Sequence, residues 1–165
     1  MVQVRQAEAI DIPHIRKLYR ILDADAESYQ PENFRCIDRP EDFLAGIIED
    51  EKADCLLLDL DGKAIGFALV QERETPAISC LVKHRFMYIL DFVIAEEYRS
   101  KGYGGTLLEA AKEWGRKRDL TRLRLSVFPN NKRGIEFYEG QGLRETMKTM
   151  ECSLLTRTDP YSGTG

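Results

Sequence analysis

Apolar and polar positions change their spacing several times along the chain, and each change marks an element. Val2-Gln3-Val4-Arg5 alternates, a period of two that predicts a short strand. Ile12, Ile15, Leu18, Tyr19 and Leu22 then recur at helical spacing. Asp11 before them is a good N-cap residue, and Pro13 suits a first turn. From Asp23 to Arg39 no clean period holds; this stretch, with Tyr29, Pro31 and Phe34 in it, is expected to be a loop. Pro40 opens a second helix that carries Phe43, Leu44, Ile47 and Ile48 on one side.

Cys55 to Leu60 reads as a buried strand, Asp61-Gly62 as a two-residue hairpin turn, and Ala64 to Val70 as the returning strand. Phe86 to Ile94 is a third long strand. A glycine-rich turn then leads into a helix from Thr106 to about Arg118, with Leu107, Leu108, Ala111 and Trp114 on its apolar side. Leu123 to Val127 is a strand, and Asn131 to about Gln141 a helix with Ile135, Phe137 and Tyr138 as its large apolar members. Thr146 to Cys152 alternates and is expected to close the sheet. The order β-α-α-β-β-β-α-β-α-β predicts an α/β (α+β) fold: a mixed central sheet flanked by helices.

The chain has 165 residues, 43% of them hydrophobic and 32% charged, enough to fill one core. One domain is expected over residues 1–155, with a flexible tail at 156–165, where Asp159 to Gly165 offers little to bury. No apolar run approaches the roughly 20 residues that cross a bilayer, and the N-terminus lacks the apolar stretch of a secretory signal. A cytoplasmic protein without membrane partners is expected. Cys36, Cys55, Cys80 and Cys152 are scattered, so buried thiols are expected rather than a disulfide framework. His14 and His84 lie far from any cysteine at ligand spacing, so no metal is expected.

The net charge is −4, which argues against nucleic-acid binding. Its distribution is uneven. Acids dominate from Ile21 to Asp61, and bases dominate from Tyr98 to Arg133. Either the two halves are solvated faces, or the second holds an anion site and the first tolerates a cation. The anion reading is sharpest at Arg99-Ser100-Lys101-Gly102-Tyr103-Gly104-Gly105, between a strand and a helix. Glycines allow close backbone approach and positive φ, and the helix that follows aims unpaired N–H groups and its positive dipole end into the loop. Such a loop can cradle a phosphate, with charge from Arg99 and Lys101, or be purely structural. A Walker A spacing is absent, and Leu107 stands where a dinucleotide fingerprint needs its third glycine.

A second motif, Asn131-Lys132-Arg133-Gly134-Ile135-Glu136-Phe137-Tyr138 with Gly142-Leu143, makes the resemblance specific. Arg99-x-x-Gly102-x-Gly104 resembles the pyrophosphate motif of the GNAT N-acetyltransferase superfamily, and the downstream stretch resembles that superfamily's Asn-x-x-Ala-x-x-Phe/Leu-Tyr…Gly-Phe pattern. Gly134 replaces the usual alanine and Leu143 the usual phenylalanine. The resemblance implies acetyl-CoA as co-substrate, with no metal. It implies that Arg99 to Gly105 and Thr106 hold its pyrophosphate, and that Phe92, Val93 and Ile94, in a strand that splays at a bulge, pair with its arm. It implies Asn131 as a further cofactor contact, against its reading as an N-cap, and Tyr138 as the acid that protonates the departing thiolate, against its reading as a core aromatic. Asp91 stands where an acid is expected to receive the amine's proton or hold its charge, though Leu90 occupies the neighbouring acidic position; Glu72 and Tyr88 are weaker candidates.

The resulting expectation is an N-acetyltransferase acting by direct attack of a primary amine, from a cationic small molecule or a peptide. A CoA-binding sensor without turnover and a protein N-terminal or lysine acetyltransferase are the alternatives. Pairing as a homodimer is left open.

Overall fold

A computed structural model describes residues 1–155; the expected tail at 156–165 lies outside the described residues. Its sheet runs in the order β1 (Val2–Gln6), β2 (Ala53–Leu60), β3 (Lys63–Glu74), β4 (Arg85–Ile94), β5 (Arg122–Leu125). Neighbours among the first four strands are antiparallel, and β5 is parallel to β4. The parallel pair follows from the crossover helix α3 (Tyr103–Arg116), since parallel neighbours cannot be joined by a hairpin. At the β2–β3 turn Asp61 and Gly62 have φ of 50° and 85°, the left-handed pair that matches a hairpin's twist.

The remaining helices are α1 (Ile12–Tyr29), α2 (Glu41–Glu49) and α4 (Lys132–Gly140). Helices α1 and α2 lay Ile15, Leu18, Tyr19 and Leu44 on Leu57, Phe67, Leu69 and Val93. Helix α3 lays Leu107, Leu108, Ala111 and Trp114 on the opposite face, against Leu56, Leu58, Ala68, Val70 and Ile89. Strands covered on both faces read as continuous apolar runs, which is why Cys55 to Leu58 does not alternate. The expected mixed, mostly antiparallel sheet flanked by helices is the observed architecture.

Three local expectations differ. The stretch from Asp23 is helical up to Tyr29, because Asp23 and Ala26 continue the buried face of α1. Arg39 neutralises Asp23 through two hydrogen bonds of 3.1 and 2.7 Å, and no periodicity analysis weighs that distant partner. Thr146 to Cys152 is not a strand. Its alternation suits one, but residues 144–155 form no ladder with the sheet and stand exposed, with Met147 and Met150 in solvent. Among the cysteines Cys55 alone is buried, its thiol pushed up to about 12 by desolvation. Cys36, Cys80 and Cys152 are exposed, on connections that pack no core.

Candidate active site

The site begins with an irregularity in β4. Leu69 pairs with Asp91 but Val70 pairs with Ile89, so Leu90 is an extra residue, a β-bulge. Side chains alternate along a strand, and without the bulge Asp91 would share the α3 face with Ile89. The extra residue turns it towards α1 instead. The parallel ladder to β5 ends at the pair Ile89–Leu125. Beyond it β4 has no neighbouring strand on that side among the described residues, so the stretch Phe92 to Ile94 offers backbone groups to an extended ligand there, although Ile94 O is taken by the Arg99 side chain. The splay expected around these residues therefore starts just before them, at Leu90.

Asp91 sits under α1, where the Tyr19 hydroxyl donates to its Oδ2 over 2.7 Å. Burial raises its pKa above the usual carboxylate range, opposed by the Tyr19 hydrogen bond and the Arg39 guanidinium; Asp23 adds a small upward push. Burial and the Asp91 charge also raise the Tyr19 phenol, which therefore stays protonated. Arg39 stacks 4.5 Å over the Tyr19 ring. Glu72 is no base: ion pairs with Arg85 and, at 3.6 Å, with Arg118 tie it up, and the Arg85 hydrogen bond lowers its pKa. The Tyr88 hydroxyl lies 3.1 Å from Ser126 Oγ.

On the opposite face, Phe92 meets the Tyr138 ring edge-on at 6.1 Å, and Phe137 lies 5.9 Å from Phe92. Burial pushes the Tyr138 phenol up to about 12, so it holds its proton at neutral pH. Among the described residues its hydroxyl has no hydrogen-bond partner, and it is not sealed from solvent. Asp91 and Tyr138 therefore flank the splayed end of β4 from its two faces.

Gly102 is the N-cap of α3, with φ of 87°. The first helical turn leaves its N–H groups without intrahelical partners, and Thr106 N–H is the first to bond back, to Gly102 O at 3.3 Å. A Cβ on Gly104 would come within 3.2 Å of the Phe137 ring, so this glycine lets α4 approach α3. Lys101 Nζ and Lys63 Nζ lie 5.7 and 5.2 Å from the Tyr98 ring centre, Tyr98 packs edge-on at 6.4 Å from Tyr103, and Arg133 donates to Ser100 Oγ. Arg99 points elsewhere: its Nε donates to Ile94 O at 2.9 Å, and its guanidinium pairs with Asp25 at 3.3 Å. Asn131 caps α4 by accepting from Gly134 N–H at 2.9 Å. A Cβ on residue 134 would fall 2.5 Å from the Asn131 amide, which explains glycine there in place of the usual alanine.

Residues 15–143 match the acetyltransferase (GNAT) family. The chain belongs to that family. It is 27% identical to YhfO, an uncharacterised N-acetyltransferase of Bacillus subtilis strain 168, over 87% of this chain and 91% of YhfO. A variant of the BH1408 protein of Bacillus halodurans superposes with a TM-score of 0.88 at 23% identity, covering 93% of this chain and 99% of that one. The aminoglycoside N-acetyltransferase AAC(6′)-Iy, solved in complex with CoA, gives a TM-score of 0.72 at 18% identity, with 96% of both chains covered. The protein is thus an acyltransferase with the fold of N-acetyltransferases.

Two residues of this acetyltransferase escaped the sequence reading. Arg133 carries charge into the loop from α4, a role signalled only by its place in the second motif. Tyr19, the partner of Asp91, reads as an ordinary apolar-face position of α1, and nothing in its own segment points to an acid on β4.

Proposed function

We propose that this acetyltransferase moves the acetyl group of acetyl-CoA to a primary amine by direct attack, with Asp91 taking the amine's proton and Tyr138 protonating the sulfur that leaves. The observation that carries the reading is the placement of an acid with raised pKa and a protonated phenol on opposite faces of one splayed strand. An amine approaching from the α1 side meets Asp91, and a thiolate departing on the α4 side meets Tyr138. The two protons then move at different atoms, each at a group in the right state for it. Acetyl-CoA supplies the activated thioester; the open backbone of Phe92 to Ile94 suits its extended arm, with one N–H positioned to polarise the carbonyl. The left-handed Gly102, the free N–H groups of the first α3 turn, Lys101 and Arg133 suit its pyrophosphate.

The acceptor is a cationic amine. Asp91 is a carboxylate on the acceptor side whose hydrogen-bond partner, Tyr19, brings no charge, and Tyr29 and Phe34 pack around Phe128 at 5.6 and 5.2 Å near the end of β5. Aromatic faces and a carboxylate suit a methylene stem bearing an ammonium group. The structural likeness to aminoglycoside acetyltransferases fits this reading. Thiol release from acetyl-CoA over a panel of polyamines, aminoglycosides, neutral aryl amines and acidic amino acids tests it. Polycations should lead the panel. If neutral or acidic amines lead, the acceptor assignment fails, and binding of acetyl-CoA without any thiol release would favour a sensor.

A further inference from the structure

We propose that Tyr19 is a positioning residue for acetyl transfer: its hydroxyl fixes Oδ2 of Asp91, so that Oδ1 alone is presented to the amine and takes its proton. The inference rests on the reading of Asp91 as the base. Tyr19 is fully buried in the cluster of Ile15, Leu18, Leu57 and Phe67, where a phenylalanine would fill the same space. A buried hydroxyl without a partner costs free energy, and among the described residues the partner of this one is Asp91 Oδ2, at 2.7 Å. Asp91 in turn meets it only because the extra residue at Leu90 turns the carboxyl towards α1. A polar atom in an apolar helix face and a bulge in a distant strand therefore serve one contact.

The tyrosine ring is clamped. Phe67 lies against it at 4.8 Å, Phe43 meets it edge-on at 6.4 Å, and the Arg39 guanidinium covers it at 4.5 Å. Arg39 is itself held by two hydrogen bonds to Asp23 and by Arg16 Nε, which donates to its carbonyl at 2.9 Å. A carboxylate left to itself turns broadly about its last torsion. With Oδ2 accepting from a clamped phenol, that freedom is lost. Oδ1 accepts no hydrogen bond among the described residues and is not sealed from solvent. It is the oxygen left to receive a proton. The amine's N–H bond breaks, the Oδ1–H bond forms, and the electron pair stays on nitrogen for attack on the thioester. Solvent then takes the proton from Oδ1.

The titratable and charged groups around Asp91 are Tyr19 and Asp23 from α1, Arg39 ahead of α2 and Cys55 from β2, while β3 pairs with it through Leu69. Burial keeps the Tyr19 phenol and the Cys55 thiol protonated. The Tyr19 hydrogen bond and the Arg39 charge favour the ionised carboxylate, and Asp23 opposes them. Loss of the Tyr19 hydroxyl therefore moves the Asp91 titration to higher pH.

Thiol-release kinetics with the amine of the panel that turns over fastest test the inference. Tyr19→Phe should lower kcat by about 10²-fold, the cost of a reacting group displaced by about 1 Å, with KM for acetyl-CoA unchanged. The rise of kcat with pH should shift to higher pH than in the wild type. In an Asp91→Asn background the same substitution should change kcat by less than about twofold, because no base is left to position. An equal loss in both backgrounds, or an unshifted pH profile, would overturn the proposal. So would a Tyr19→Phe chain that no longer melts cooperatively while Asp91→Asn does, since the hydroxyl would then be an anchor of the fold. Wild-type turnover in Asp91→Asn, or no turnover with any amine, would instead remove Asp91 as the base and this inference with it.

Discussion

Asp91 binds its proton more tightly in the folded chain than in the unfolded one, because burial outweighs the hydrogen bond from Tyr19 and the charge of Arg39. A raised folded pKa gives stability that is fully present below the unfolded carboxylate range and is lost as pH rises through the folded value. At neutral pH, well above the unfolded carboxylate range, the buried carboxyl therefore weakens the fold in which it works. Asp91→Asn keeps an acceptor for the Tyr19 hydroxyl and removes the charge. Its melting temperature should exceed that of the wild type at pH 7, and the gap should close towards pH 4. Turnover should fall by roughly 10²–10⁴, the usual range for a lost general base. A variant that melts lower at pH 7 would recast Asp91 as an anchor for α1. Tyr138→Phe tests the other proton. It keeps the packing on Phe92 and should lower kcat by a similar factor of about 10² or more, with the acetyl-CoA dissociation constant unchanged in calorimetry. Activity within about twofold of wild type would return Tyr138 to the role of a core aromatic.

Elements whose signals are local were legible in the sequence. The Asp61-Gly62 turn, the glycine start of α3 and the Asn131 start of α4 each lie within a few residues of their cause. The splay at a bulge was expected only through the family resemblance, and the position of the bulge at Leu90 and the length of α1 were not legible, because each depends on a partner far along the chain. Gly66 shows the same dependence. It pairs with Ile94, and a Cβ there would lie 2.6 Å from Val93 O and 2.8 Å from Ile94 Cδ1. The Val93 carbonyl is backbone and cannot rotate away. Gly66→Ala should cost about 1–3 kcal/mol in urea unfolding, the usual range for overpacking. Because the clash falls on the open part of β4, it should also raise KM for acetyl-CoA. Gly46→Ala in α2 is the control: nothing lies within 4 Å of the added methyl, so the helix should gain up to about 1 kcal/mol. Equal stability of the two variants would mean that β4 relaxes freely at its splayed end.

Across the whole molecule the acidic first half and the basic second half are not two matching fields. Most carboxylates near the acceptor side are already spent on arginines: Asp23 on Arg39, Asp25 on Arg99, Asp38 on Arg20 and Glu41 on Arg16. Glu27 accepts from Cys36 N–H at 2.5 Å. These pairs fold the α1–α2 connection and leave little long-range attraction for a cation. The α3 loop differs, since Lys63, Lys101 and Arg133 gather around Tyr98 and Ser100 without acidic partners among the described residues. Exposed charges act through solvent, and the screening length falls from about 10 Å at 0.1 M salt to about 3 Å at 1 M. Raising ionic strength over that range should therefore lower kcat/KM for acetyl-CoA more steeply than kcat/KM for a cationic amine. Arg133→Ala should flatten the acetyl-CoA slope, whereas Arg99→Ala should leave it nearly unchanged, because Arg99 is already paired with Asp25. An amine slope as steep as that for acetyl-CoA would mean that acids without a partner among the described residues, such as Asp42 and Glu49, steer the acceptor after all, and that the ion pairs of α1 serve the fold alone.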